Sequence, residues 1–185
     1  GAMVADGMGG ENCGEIASKM AADLIKQYII SNFDPKMDYM EMAELMRIAF
    51  INANRQIYEY SQKSPDRKGM GTTATLAFYY DNKLLIAHVG DSRCYKVKNN
   101  KIELLTEDHS FVGELMRAGS ISEEMARTHP NRNMITRVLG VENCVKVEIY
   151  IKSLDDETIL LSTDGLTNML SDSQIAEILE RYEKL

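Results

Sequence analysis

The order of apolar and polar positions divides the chain into helical and extended stretches. Val4-Ala5 reads as the end of a short buried strand, halted by the glycine-rich Asp6-Gly7-Met8-Gly9-Gly10. From Asn12 the period becomes helical: Ile16, Met20, Leu24 and Tyr28 recur every four residues with Ala17, Ala21 and Ile25 beside them, until Asp34-Pro35 breaks the pattern. A second helix is predicted over about 38–60, with Met42, Leu45, Ala49, Ala53, Ile57 and Tyr60 on one face. Two such stripes must lie against something flat and apolar. Residues 72–80 are β-branched and aromatic, Asp81-Asn82 is a turn pair, and 83–89 forms the next strand. Strands at 93–98 and 101–105 flank a second turn at Asn99-Asn100. A short helix at about 111–118 opens a less regular stretch reaching Gly140. Residues 145–151 then alternate like a half-exposed strand, and 158–162 are apolar like a buried one. The closing helix starts near Ser173, with Asp172 near its N-terminus and Ile175, Ile178, Leu179 and Tyr182 on one face. Helices segregated from antiparallel hairpins mark an α+β domain.

Composition narrows the functional classes. The 185 residues are 44% hydrophobic and 26% charged, the balance of one globular domain covering 1–185. A net charge of −7 without a basic tract makes nucleic acid an unsuitable partner. No apolar run approaches the ~18 residues of a membrane span. Cys13, Cys94 and Cys144 are few, odd in number and widely spaced, which argues against a disulfide framework or structural zinc. They read as packing residues or incidental thiols in a reducing, cytoplasmic compartment, and Met42 and Met46 as core filler. Gly1-Ala2-Met3 reads as the scar of a removed tag.

Three aspartates share one setting. Asp6 precedes Gly7, Asp91 follows Val89-Gly90, and Asp164 precedes Gly165, each where an apolar strand emerges and the backbone turns. Strand ends of one sheet converge in space, and carboxylates brought together there repel one another unless protonated or neutralised. A hard divalent cation resolves that conflict, and oxygen donors without His or Cys suit Mg²⁺ or Mn²⁺. The residues alone leave open a plain set of Asp-Gly turns as the alternative.

The motifs themselves carry a resemblance. Val4-Ala5-Asp6-Gly7-Met8-Gly9-Gly10 with Gly14-Glu15-Ile16-Ala17-Ser18 resembles the first metal motif of the PPM (PP2C-type) protein serine/threonine phosphatases, bacterial branch. Gly71-Thr72-Thr73-Ala74-Thr75, Ala87-His88-Val89-Gly90-Asp91-Ser92-Arg93 and Thr106-Glu107-Asp108-His109-Ser110 resemble the motifs that follow. So do the segment from His129 to Gly140 and, last, Leu161-Ser162-Thr163-Asp164-Gly165-Leu166. The resemblance implies an α-β-β-α sandwich of two antiparallel sheets flanked by helix pairs, with a metal centre at one end and a variable flap over about 111–132. It implies that Asp6 bridges two Mn²⁺ or Mg²⁺ ions, that Gly7 adds its backbone carbonyl, that Asp164 binds one of that pair, and that Asp91 with Asp164 holds a third, weaker ion. The implied chemistry is hydrolysis of phosphoserine and phosphothreonine by metal-activated water, on proteins phosphorylated by Ser/Thr kinases.

Single residues read more modestly. His88, His109 and His129 are expected to make local hydrogen bonds, and Arg93 to order its neighbouring loops. Met8 and Glu11-Asn12-Cys13 stand where relatives carry a histidine, so no general acid is assigned. Two family motifs lack a counterpart: an N-terminal strand with a phosphate-contacting Arg and an Asn-Glu-Asp segment, and a late Gly-Gly-x-Asp-Asn motif. The chain is therefore expected to be incomplete at both termini and weak or inactive alone, with open sheet edges that pair with a second chain. A non-catalytic phosphoprotein-binding module and a metal-free structural fragment are the competing readings.

Overall fold

The computed structural model describes residues 1–9, 13–99 and 101–183. The helix start expected at Asn12, the Gly10 and Glu11-Asn12 positions, Asn100 of the second turn, the Tyr182 side chain and the Leu185 end lie outside the described residues. The elements run β1 (Ala2–Val4), β2 (Gly7–Met8), α1 (Cys13–Asn32), α2 (Tyr39–Ser61), β3 (Gly71–Thr72), β4 (Ala74–Tyr80), β5 (Lys83–Val89), β6 (Arg93–Lys98) and β7 (Lys101–Leu104). Then follow α3 (Phe111–Arg117), α4 (Glu123–Thr128), β8 (Glu148–Ser153), β9 (Thr158–Ser162), α5 (Asp164–Thr167) and α6 (Asp172–Glu183).

Strands β1-β4-β5-β8 form one antiparallel sheet, β7-β6-β9 a second, and β2-β3 a short third ribbon. The β4–β5 hairpin closes through Asp81 and Asn82 at φ 49° and 56°, the left-handed pair that a two-residue turn requires. Period-2 alternation then gives β5 two different faces. Leu85, Ala87 and Val89 join Ala74 and Leu76 under α1 and α2. Leu84 and Ile86 point the other way, packing with Ala77, Cys94 and Leu105 between the sheets. One helix pair thus covers the outer face of the four-stranded sheet, and α6 lies beside β7 of the other.

Helix α2 starts on a capping box: Asp38 accepts the Glu41 backbone N–H at 2.8 Å and Glu41 Oε2 accepts the Asp38 N–H at 2.9 Å. Its expected face is buried, with Met42, Met46, Ala49, Ala53 and Ile57 fully enclosed.

Five expectations shift. On α1 the buried row is Gly14, Ala17, Ala21 and Ile25, while Ile16 stays 36% exposed, because small side chains let α2 approach closely. The strand expected over 72–80 breaks at Thr73, whose N–H leaves the ladder for the Asp6 carbonyl at 2.9 Å. Strand β8 starts at Glu148 opposite His88, and Val145 and Val147 pack on the helix-side core before the ladder begins. Strand β9 is an edge with β6 as its neighbour, so Ile159, Leu160 and Leu161 are half-buried instead of enclosed; on α6 the buried residues are Ile175 and Ala176, with Ile178 43% exposed.

Candidate metal centre

Each of the three aspartates lies two residues beyond a strand end: Asp6 after β1, Asp91 after β5, Asp164 after β9. Strands β1 and β5 both run antiparallel to β4 and so parallel to each other, which delivers Asp6 and Asp91 to one rim of the sheet. Ser162, the last residue of β9, pairs with Arg93, the first of β6, and this sets Asp164 beside Asp91. The topology converts sequence-distant positions into neighbours.

Their electrostatics record the convergence. The Asp6 carboxyl is raised above the usual carboxylate range by burial and by the adjacent Asp164 carboxyl, with which it is in hydrogen-bond contact. Asp91 is pushed up to about 6 by burial first, then by Asp108, Asp164 and Asp6. Arg93 does not relieve this, because its fork is engaged elsewhere. Its Nε and Nη2 donate to Asp108 at 2.9 and 2.6 Å, and Nη1 donates to the Tyr95 hydroxyl at 3.0 Å. Asp91, Asp108 and Asp164 line a cavity of about 490 Å³, walled by Val112, Met116, Arg127 and Arg132 of the 111–132 segment, by Asn133, and by Thr167 and Asn168. Asp6 is not part of that wall; it touches the site through Asp164.

Gly7 lies against the start of α1. A Cβ on Gly7 would fall 1.8 Å from the Gly14 carbonyl oxygen, and one on Gly14 would fall 2.6 Å from the Gly7 oxygen. Gly90, at φ +115°, sits on Thr73, and a Cβ there would lie 2.5 Å from the Thr73 Cβ. Neither contact survives a side chain.

A divalent cation fits these residues. The donors are oxygens, the carboxylates repel one another, and no lysine or arginine is hydrogen-bonded to Asp6, Asp91 or Asp164 among the described residues. Ser162 Oγ, two residues before Asp164, is the one buried side-chain polar atom without a partner among the described residues. No three His, Cys, Asp or Glu side chains there stand in ready ligating geometry. Oxygen donors of this kind suit a hard divalent cation such as Mg²⁺ or Mn²⁺.

Behind the rim the histidines do what their settings predict. Neutral His88, held down to about 4 by burial and by His109, meets the Thr75 hydroxyl at 2.9 Å and the Glu107 carbonyl at 3.0 Å. The Gly90 N–H donates to His109 Nδ1 at 2.9 Å, and the His109 backbone N–H donates to the Gly90 carbonyl at 2.8 Å. His129 Nδ1 accepts the Asn131 N–H at 3.1 Å. Thr72, Thr73, Ser92 and Asp108 carry much of the site's geometry, yet sequence reading gave them no role. The available signal was polarity at strand ends otherwise built from apolar residues.

The protein phosphatase 2C family matches residues 1–184. The chain belongs to that family. The serine/threonine phosphatase stp of Listeria welshimeri is 40% identical over 184 residues, covering 99% of this chain and 73% of the relative. The crystal structure of the serine/threonine phosphatase Stp1 from Staphylococcus aureus superimposes with a TM-score of 0.88 at 38% identity, over 96% of this chain and 69% of that one. The catalytic domain of the serine threonine protein phosphatase PstP, solved with 2 manganese ions, gives 0.80 at 31% identity, over 96% and 73%. As a PP2C-type protein serine/threonine phosphatase, the chain belongs to an α+β enzyme family whose members depend on divalent metal. Among the described residues no helix is long and apolar enough to cross a membrane.

Proposed function

We propose that this chain hydrolyses phosphoserine and phosphothreonine in proteins, with Asp6, the Gly7 carbonyl and Asp164 holding two Mn²⁺ or Mg²⁺ ions and Asp91 with Asp164 a third. The observation that carries this reading is the meeting of Asp6, Asp91 and Asp164 at one rim, where burial and the neighbouring carboxylates raise Asp6 and Asp91 and, among the described residues, no lysine or arginine is hydrogen-bonded to the three. Bound there, divalent cations supply Lewis acidity, offsetting phosphoryl charge and acidifying water. The chain's own residues do the rest. The carboxylates fix where positive charge sits, and residues 111–132 act as a flap walling the cavity. Arg127, paired with Glu123 at 2.9 Å, and Arg132 line the same cavity as Asp91, Asp108 and Asp164, an arrangement suited to a phosphorylated side chain whose phosphate lies between positive and negative groups.

A thiolate nucleophile does not fit. None of the cysteines lines the cavity, and burial pushes the Cys94 thiol up to about 12. No histidine lines it either, so no side chain is assigned to protonate the leaving alkoxide. The free cysteines suit a cytoplasmic enzyme opposing Ser/Thr kinases, and the edge strands β1 and β9 offer ladders to a second chain.

The test is release of phosphate from a phosphothreonine peptide with Mn²⁺, beside the Asp164→Asn variant. Metal-dependent turnover lost in the variant together with tight Mn²⁺ binding is the expected result. Tight Mn²⁺ binding without turnover would favour a non-catalytic phosphoprotein-binding module. Unchanged Mn²⁺ affinity in Asp164→Asn would overturn the ligand assignment.

A further inference from the structure

Thr73, fully buried in the break between β3 and β4, touches two of the three carboxylate-bearing strand ends. Its hydroxyl accepts the Asp6 backbone N–H at 2.9 Å, and its own N–H donates to the Asp6 carbonyl at 2.9 Å. Both polar groups of the Asp6 peptide are thereby held by one residue. The Thr72 hydroxyl reaches the same carbonyl at 2.9 Å. From the other side, the Thr73 hydroxyl lies 2.7 Å from Ser92 Oγ, and the Thr73 side chain packs under Gly90. Asp91 is therefore flanked on both sides, at 90 and 92, by residues that rest on Thr73. Ser92 is itself fixed: it is fully buried, and its carbonyl accepts the Thr75 hydroxyl at 3.0 Å.

We infer that Thr73 is a positioning residue that sets the separation of Asp6 and Asp91 through the Asp6 N–H to Thr73 hydroxyl to Ser92 hydroxyl chain. The inference rests on the metal-dependent reading above. The physical reason is that two carboxylates on separate strands have no mutual attraction to hold their spacing. Repulsion drives them apart, and the Asp6–Asp91 distance must then be imposed by neutral contacts behind them. A backbone ladder between β1 and β5 cannot do this, because β4 lies between them. Thr73 hydroxyl chemistry crosses that gap in one residue. Thr73→Val keeps the shape but removes the acceptor of the Asp6 N–H and the partner of Ser92, whereas Thr73→Ser keeps both bonds.

The experiment is a Mn²⁺ titration of the metal-stripped full chain, followed by the electron paramagnetic resonance of free Mn²⁺, with folding checked by circular dichroism. Partners one bond behind a metal ligand typically change affinity about 10–100-fold, so Thr73→Val is expected to bind Mn²⁺ at least tenfold more weakly and Thr73→Ser to recover most of that loss. The double variant Thr73→Val/Ser92→Ala should bind no more weakly than Thr73→Val, since both remove one shared bond. A folded Thr73→Val with wild-type affinity overturns the inference, as does a Thr73→Ser as weak as the valine variant. If Thr73→Val does not fold, Ser92→Ala decides: weaker binding at unchanged melting temperature supports the chain, and unchanged binding overturns it. Wild-type protein that binds no Mn²⁺ would instead overturn the metal reading itself, and with it this inference.

Discussion

His88 gives the fold a defined sensitivity to acid. It is fully buried on the face of β5 that looks between the sheets, and its ring lies 4.7 Å from that of His109. Burial first, and His109 second, lower it from 6.5 to about 4. An unfolded chain takes up the proton as pH falls through about 6.5, but the folded chain refuses it until about 4. Stability is therefore whole above that window and declines as pH drops across it. The difference of 6.5 − 4 corresponds to about 3 kcal/mol over the full window, and about 2 kcal/mol has been lost by pH 5. The assay is urea unfolding of the chelator-treated chain at pH 7 and pH 5, for the native sequence and for His88→Gln. Glutamine keeps a donor for the Glu107 carbonyl and a polar atom beside the Thr75 hydroxyl but has no proton to gain. His109 is also lowered by burial and by Arg137, so both proteins lose stability in acid; the native chain should lose about 2 kcal/mol more. Glu148 does not interfere, because against the push of burial the Tyr150 hydroxyl, Arg137 and His109 hold it at about 2. Parallel losses in the two proteins would refute the reasoning.

Two further outcomes follow from the geometry. Gly7→Ala drives a Cβ to 1.8 Å from the Gly14 backbone, which no rotamer relieves, so about 3 kcal/mol is lost and the melting temperature falls by about 6–12 °C in thermal unfolding; a fall under about 2 °C would contradict the close approach. Asp108→Asn leaves the half-buried Arg93 fork without its carboxylate and should lower the melting temperature by about 5–10 °C, and Arg93→Lys should lower it as well, because one ammonium cannot make the bidentate contact with Asp108.

Periodicity located every long helix and nearly every strand, because Ala53, Ile57 or Leu85 must face the core wherever the neighbouring elements lie. What it missed depends on neighbours. Ile16 and Ala17 are both apolar, and only the tight seam with α2 decides that the smaller one is enclosed. Strand β9 looks central by composition but is an edge by pairing, and no local pattern encodes pairing. The aspartates were legible as strand-end carboxylates, yet the contact between Asp6 and Asp164 arises from β1 and β9 meeting across two sheets. Thr73 was least legible, since a threonine in a β-branched run looks like one more strand residue. Its role appears when its N–H and hydroxyl are seen to leave the ladder for Asp6.

The three-residue strand β1 has a consequence for the order in which the molecule comes apart. It is held to the sheet by pairing with β4 alone, at Ala2, Met3 and Val4, whereas β5 is paired on both sides and buried on both faces. Strand β1 is therefore expected to open locally at a free energy below that of global unfolding. Amides on β5 should outlast those on β1 in hydrogen exchange, and the metal centre should dissolve before the core does. An ion held by Asp6 and Asp164, as proposed, would act as a clasp on a strand paired on one side only, so that the groups that prepare the chemistry would also slow its opening.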